Sequence, residues 1–226
     1  MKTVLITGAG RGIGLALAEQ FLQKGHQVLA SYRDEATSKD LLALTKISNS
    51  LQLIKMDVAQ VSTWGDFKTI ITKTPPDILI NNAGVIGSES GSIRDINLKE
   101  LTNVFAVNTF APLLVSQFVA PLMKAGSTIA HVTSLMGSIA DNKGGGYYDY
   151  RMSKAALNMM NKCLSIEFPK LTCLVLHPGW VQTDMGGSSA PVQPEASAKG
   201  LTEVILNSQV EQSGRFYDYR GRELPW

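Results

Sequence analysis

The sequence predicts an α/β fold: a single doubly wound domain over residues 1–226, with a seven-stranded, mostly parallel sheet and helices on both faces. Two observations predict it. Apolar runs of strand length recur along the chain with helical patterns between them, as parallel strands buried on both faces require. The chain has 226 residues and 44% hydrophobic content, enough to bury the core of one full-sized α/β domain and short for two. No internal repeat, low-complexity tract or Pro/Ser-rich linker divides it.

Strands are expected near residues 3–7, 27–32, 51–57, 78–81, 128–134, 172–177 and 215–218. Helices are expected over 12–24, 36–47, 61–72, 98–124, 148–168 and 194–206, each with apolar residues every third or fourth position. Right-handed crossovers between parallel strands then force the doubly wound layout. Loops around Gly144, Gly145 and Gly146 and over 186–194 follow predicted strands. They should lie over the C-terminal edge of the sheet, where ligands bind in open α/β folds.

In chain order, the first strand runs into Thr7-Gly8-Ala9-Gly10-Arg11-Gly12-Ile13-Gly14, which opens the first helix. Glycine suits this turn because its backbone can take positive φ and approach a pyrophosphate without a Cβ in the way. Unpaired N–H groups at the helix start, with the helix dipole behind them, favour an anion. The second strand ends Ala30-Ser31-Tyr32-Arg33. An acidic residue there would bond the ribose hydroxyls of an adenosine and repel a 2′-phosphate, and Tyr32 stands in its place. Arg33 and Arg11 can converge on a 2′-phosphate, which the planar guanidinium fork meets in a bidentate way. NADP(H) is therefore favoured over NAD(H).

The third strand is followed by Asp57-Val58 and the fourth by Asn81-Asn82-Ala83-Gly84, each of which, alone, reads as a turn. Asn108 falls within the long helix after the fourth strand; it is a poor helix former and needs partners if buried. The fifth strand ends at Ser134, whose hydroxyl can donate to a substrate oxygen as negative charge builds; Thr133 and Ser138 are the rival hydroxyls. In the next helix Tyr150 and Lys154 are four residues apart and share one face. A free phenol, with a pKa near ~10, is poorly matched to neutral pH, and a neighbouring ammonium should pull it down. Tyr147 and Tyr148 would instead face Arg151 and Met152, so Tyr150 is the tyrosine with a lysine. The sixth strand leads into Pro178-Gly179-Trp180-Val181-Gln182-Thr183, where Pro and Gly fix a backbone path.

The glycine spacing TGxxxGxG resembles that of the short-chain dehydrogenase/reductase family, and the later motifs follow in the family's order along nearly the whole chain. The runs ending at Lys154 and beginning at His177 resemble the carbonyl-reductase-like subgroup that includes C-factor and sniffer proteins. The resemblance implies a dinucleotide-binding oxidoreductase that moves hydride between a nicotinamide and a carbonyl or alcohol carbon. It makes Tyr150 the general acid and base, Lys154 its partner and a holder of the nicotinamide ribose, and Ser134 the preferred hydroxyl. It has Asn108 bend its helix and hold a water that relays protons from Lys154. It assigns to the cofactor Gly8, Arg11, Gly12, Ile13, Gly14, Arg33, Asp57, Val58, Asn82, Ala83, Gly84, Pro178, Gly179, Val181 and Thr183. The stretch from Ser134 to Tyr150 is longer than the family's usual spacing, so the glycine-rich insert must bulge outward if the two are to meet. A short segment from Met185 to Pro194 implies an open site for bulky carbonyl substrates, with Met136, Trp180 and Met185 as pocket-lining guesses. A homodimer through the long helices is allowed by the resemblance and demanded by nothing in the sequence. Signalling or redox sensing with little turnover is the alternative reading, since the family includes members with signalling roles.

Composition narrows the partners. Net charge is +2 with Lys and Arg scattered, which offers no footprint for nucleic acid or an anionic membrane. No apolar stretch is expected to reach the roughly 20 residues that cross a bilayer, and the N-terminus shows no signal-peptide pattern. A cytoplasmic protein is expected. Cys163 and Cys173 match neither a CxxC pair nor a zinc site and are read as core thiols. His26, His131 and His177 lie on different elements, so no metal is expected.

Overall fold

The structure, a computed structural model, describes residues 1–87 and 92–226. Seven strands form one sheet: β1 (Thr3–Ile6), β2 (Gln27–Tyr32), β3 (Leu51–Lys55), β4 (Ile78–Asn81), β5 (Thr128–Val132), β6 (Thr172–His177) and β7 (Arg215–Asp218). Their order is β3-β2-β1-β4-β5-β6-β7, and every pairing between them is parallel. The order reverses between β1 and β4, and a crevice opens there at the strands' C-terminal ends.

Side chains alternate between the two faces of the sheet, and both faces are buried. Val4, Ile6, Val28, Leu174 and Leu176 pack with Leu17, Phe21, Leu201 and Ile205 from α1 (Gly12–Gln23) and α7 (Pro194–Asn207). Leu5, Leu29, Leu79, Ile129 and Cys173 face the opposite layer, α3 (Gly65–Lys73), α5 (Ala111–Val119) and α6 (Tyr148–Glu167). Cys173 is thus a core thiol, whereas Cys163 is exposed, because its position on α6 falls outside the apolar stripe; both are free.

Several stretches differ from expectation: the strand expected over 51–57 ends at Lys55, and the helix expected over 61–72 is a 3-10 turn at Val61–Thr63 followed by α3. The helix expected over 36–47 is α2 (Lys39–Leu44), because Asp34 caps a turn by accepting from the Ala36 N–H and holds 36–38 out of the helix. The strand expected to reach residue 134 stops pairing at Val132, and Ser134 begins a short 3-10 turn. The helix expected over 98–124 is α4 (Leu98–Phe105), a π-helical turn at Ala106–Phe110, then α5 and a last 3-10 turn. Pro112 lacks the N–H that an α-helix would direct at the Asn108 carbonyl, and the wider turn absorbs the fault.

The same run corrects an expectation about apolar length. Leu98–Leu122 is a 25-residue helix long and apolar enough by composition to cross a membrane, but 56% of its most apolar window is buried inside the protein. The core it packs against accounts for that apolarity.

Candidate active site

The glycine loop is held by hydrogen bonds from the end of β4. The Asn82 side-chain amide donates to the Thr7 and Gly8 carbonyls, both at 3.0 Å. The Asn82 and Ala83 N–H groups donate to Thr7 Oγ1 at 3.0 and 3.2 Å. Gly8 takes φ +65° and Gly12 φ +56°, and a Cβ on Gly8 would lie 2.8 Å from the Ala83 backbone. Arg11 at the N-cap of α1 supplies no side-chain acceptor, so the first-turn N–H groups are left for a ligand.

A cleft of about 510 Å³ runs along this crevice, within the usual size of small-molecule sites. Its walls include Gly8, Arg11, Gly12, Ile13, Gly14, Arg33, Asp57, Val58, Asn82, Ala83, Gly84, Tyr150, Lys154, Pro178 and Thr183. Gly179 and Val181 are not among the walls. Gly179, at φ +87°, turns the loop against the Tyr219 ring, and Val181 is buried and bridges Val192. Of the pocket guesses, Met185 lines the cleft and Met136 and Trp180 do not. Sequence reasoning misses Thr37 and Ser38, because the apolar periodicity runs a helix through 36–38, and Asp184, whose partner is remote in sequence.

The Ser134 side chain lies near enough to the Tyr150 phenol to favour its charged form, but Ser134 is not among the residues that line the cleft. Ser134 is set by its neighbours: its hydroxyl accepts from the Met136 N–H, and His177 Nδ1 accepts from the Leu135 N–H. The glycine insert does bulge outward, with Gly144, Gly145 and Gly146 lying away from the core. Gly145 and Gly146 are left-handed, as is Tyr147 at φ +46°, and Arg151 Nε donates to the Gly145 carbonyl at 3.0 Å. Lys154 Nζ lies 5.7 Å from the centroid of the Tyr150 ring and donates to the Val132 carbonyl at 2.9 Å. Asn108 is fully buried at the π-helical turn; its Nδ2 donates to the Val85 carbonyl and to Ser153 Oγ, and its Oδ1 accepts from the Val85 N–H. A Cβ on Gly84 would stand 3.3 Å from Asn108 Oδ1 and 3.5 Å from Lys154 Nζ, so the two groups flank one small residue.

The short chain dehydrogenase family model matches residues 2–193. The chain belongs to the short chain dehydrogenase family. It is an oxidoreductase of that family, and its structural neighbours are carbonyl reductases. Among curated relatives, C-signal of Myxococcus xanthus is 44% identical over 71% of this chain and 98% of that protein. Among solved structures, the carbonyl reductase Sniffer of D. melanogaster is 32% identical with a TM-score of 0.92, covering 100% of both chains. A carbonyl reductase from Pseudomonas aeruginosa PAO1, solved in complex with NADP, is 36% identical with a TM-score of 0.88, again over 100% of both chains.

Within this family member the electrostatics of the pair run against the sequence expectation. Tyr150 and Lys154 are only 8% and 4% exposed, and loss of water disfavours the charged form of each. Burial pushes the Tyr150 phenol up to about 12, with the nearby Ser134 side chain pulling it partly back. Burial brings the Lys154 ammonium down to about 8. Burial thus outweighs any lowering of the phenol by its helical neighbour, whose Nζ donates to the Val132 carbonyl.

Proposed function

We propose that the protein is an NADP(H)-dependent carbonyl reductase that moves hydride between the nicotinamide and a carbonyl or alcohol carbon, with Tyr150 as general acid and base. One observation carries this reading: Tyr150 and Lys154, with Ser134 beside the phenol, line the same cleft as the glycine loop and Arg33. The residues fit the cofactor. Glycines 8 and 14 leave no room for side chains, β2 ends without a carboxylate, and Arg33 has no ion-pair partner among the described residues.

When bound, NADPH supplies the hydride. Tyr150, held protonated at neutral pH by burial, gives its proton to the carbonyl oxygen as that oxygen gains charge. Ser134 donates to the same oxygen, and the Lys154 ammonium steadies the phenolate left behind. Asn108 holds the Val85 backbone and Ser153 against Tyr150, since Ser153 Oγ donates to the Tyr150 carbonyl. Met185 at the rim suits bulky apolar ketones, aldehydes or quinones.

Fluorescence titration with NADPH and NADH side by side, followed by turnover on a carbonyl panel, tests the assignment. NADPH should bind more tightly, and Tyr150→Phe should keep cofactor binding while losing about 10²- to 10⁴-fold in turnover. Unchanged turnover in that variant would refute the site. The similarity to C-signal supports a second reading, dinucleotide binding for signalling. Binding without turnover across the panel would favour it.

We also propose a homodimer. Met152, Met159 and Ile166 recur every seven residues on α6 with 50%, 65% and 69% exposure, and Phe110, Leu113 and Leu114 are exposed on the neighbouring helix. Two copies of this face would bury what one leaves in water.

A further inference from the structure

Arg11 and Asp184 form an ion pair between the two rims of the cleft. Arg11 belongs to the glycine loop, and Asp184 follows Thr183 on the loop after β6. The two loops touch beside the pair, since a Cβ on Gly12 would stand 3.2 Å from Thr183 Cγ2. The pair therefore ties the glycine loop to the loop after β6 at the wall of the cleft.

We infer that Asp184 is an internal competitor for the cofactor's 2′-phosphate: its carboxylate holds the Arg11 guanidinium across the groove and must give it up before Arg11 can meet that phosphate. The inference rests on the NADP(H) reading above. Asp184 takes the Nη1 end of the guanidinium and turns it across the groove, so the pair competes with any geometry that turns the donor fork toward a phosphate. The backbone N–H groups of α1 already suffice for the pyrophosphate, which leaves the two arginines for the extra dianion. The competition is mild. The side chains are 64% and 75% exposed, and exposed pairs bias an equilibrium by no more than about fivefold. The terminal phosphate, with more charge than a carboxylate, displaces Asp184; a cofactor without that phosphate leaves the pair closed. Asp184 thereby sharpens the choice of cofactor from the opposite wall of the cleft, and its release frees the loop that carries Thr183 and Met185.

Dissociation constants for NADPH and NADH, read from nucleotide fluorescence at low salt with the full chain, test this. Asp184→Asn should tighten NADPH about two- to fivefold and leave NADH unchanged. Asp184→Glu, which keeps the charge, should stay within about twofold of the wild type. In an Arg11→Gln background, Asp184→Asn should have no effect. Equal tightening of both nucleotides, no tightening of NADPH, or an unchanged effect without Arg11 overturns the inference while the cofactor reading stands. Failure of NADPH to bind the wild-type chain overturns both.

Discussion

Replacing Lys154 by Met separates what the lysine does for chemistry from what it costs the fold. The side chains are similar in length, and the site is almost closed to water, with Lys154 4% exposed. Folding lowers the ammonium from its ordinary 10.5 to about 8. Below pH 8 both states are protonated and the folded chain bears the whole penalty. At 1.36 kcal/mol for each tenfold change in proton affinity, that penalty is roughly 3 kcal/mol at neutral pH. Between pH 8 and pH 10.5 only the unfolded state keeps the proton, so wild-type stability rises with pH and the penalty fades. Met escapes it but abandons the Val132 carbonyl, a loss of about 1–3 kcal/mol. Lys154→Met should therefore be as stable as the wild type at pH 7, or more stable by up to about 2 kcal/mol. Between pH 7 and pH 9.5 the wild type should gain on the variant by about 2 kcal/mol. Urea unfolding of the cofactor-free proteins at both pH values reads the difference, and other titrating groups cancel. A stability gap that does not move with pH would show that the ammonium is solvated in the folded chain and would refute the burial argument.

Three further outcomes are expected. His131 is fully buried and held neutral, its pKa lowered to about 3 by burial first and by the nearby Lys154 charge second. As pH falls through 6.5 the unfolded histidine takes a proton that the folded one refuses, so the wild type should lose about 2 kcal/mol at this residue between pH 7 and pH 5; denaturant curves of His131→Asn should lack that loss. Gly14→Ala gains about 1 kcal/mol of helix propensity, but its Cβ would run into the Gly8 carbonyl and the Asn82 amide. Thermal melts should show net destabilisation, and titration should show NADPH affinity down at least tenfold. Met159→Lys puts a charge on the exposed apolar stripe of α6, and light scattering should show the proposed dimer falling to monomer while circular dichroism at room temperature keeps its folded spectrum.

What is legible in the sequence is whatever depends on the chain's own local pattern. Strand interiors such as Val4-Leu5-Ile6 are apolar on both faces, which only a covered parallel sheet requires, and seven strands form within the stretches that pattern marks, three of them ending early. The glycine loop is equally readable, because Gly8 and Gly12 are demanded by backbone angles that other residues resist. Local features that compete with a periodic pattern are harder. Asp34 diverts 36–38 from α2 and brings Thr37 and Ser38 to the cleft, and Pro112 turns the expected α-helix into a π-helical turn at Asn108. Least readable are contacts across long stretches of chain. Arg11 reads as a cation for phosphate, and nothing near it announces that Asp184 holds it first.

The Tyr150–Lys154 pair shows why spacing alone misjudges its electrostatics. A helical neighbour at i+4 fixes distance but not solvation, and solvation dominates here. With the phenol near 12 and the ammonium near 8, a proton removed from the cofactor-free pair leaves the lysine before the tyrosine. Below pH 8 the chain alone thus holds a phenol beside an ammonium, the form suited to donating a proton to a carbonyl. Reaching phenolate and ammonium together requires polar groups beside both, and the cleft that Tyr150 and Lys154 line is where a ligand would bring them. On the proposed mechanism, chain and cofactor contribute separately to one proton transfer: burial disfavours the phenolate, and a filled cleft makes it tolerable.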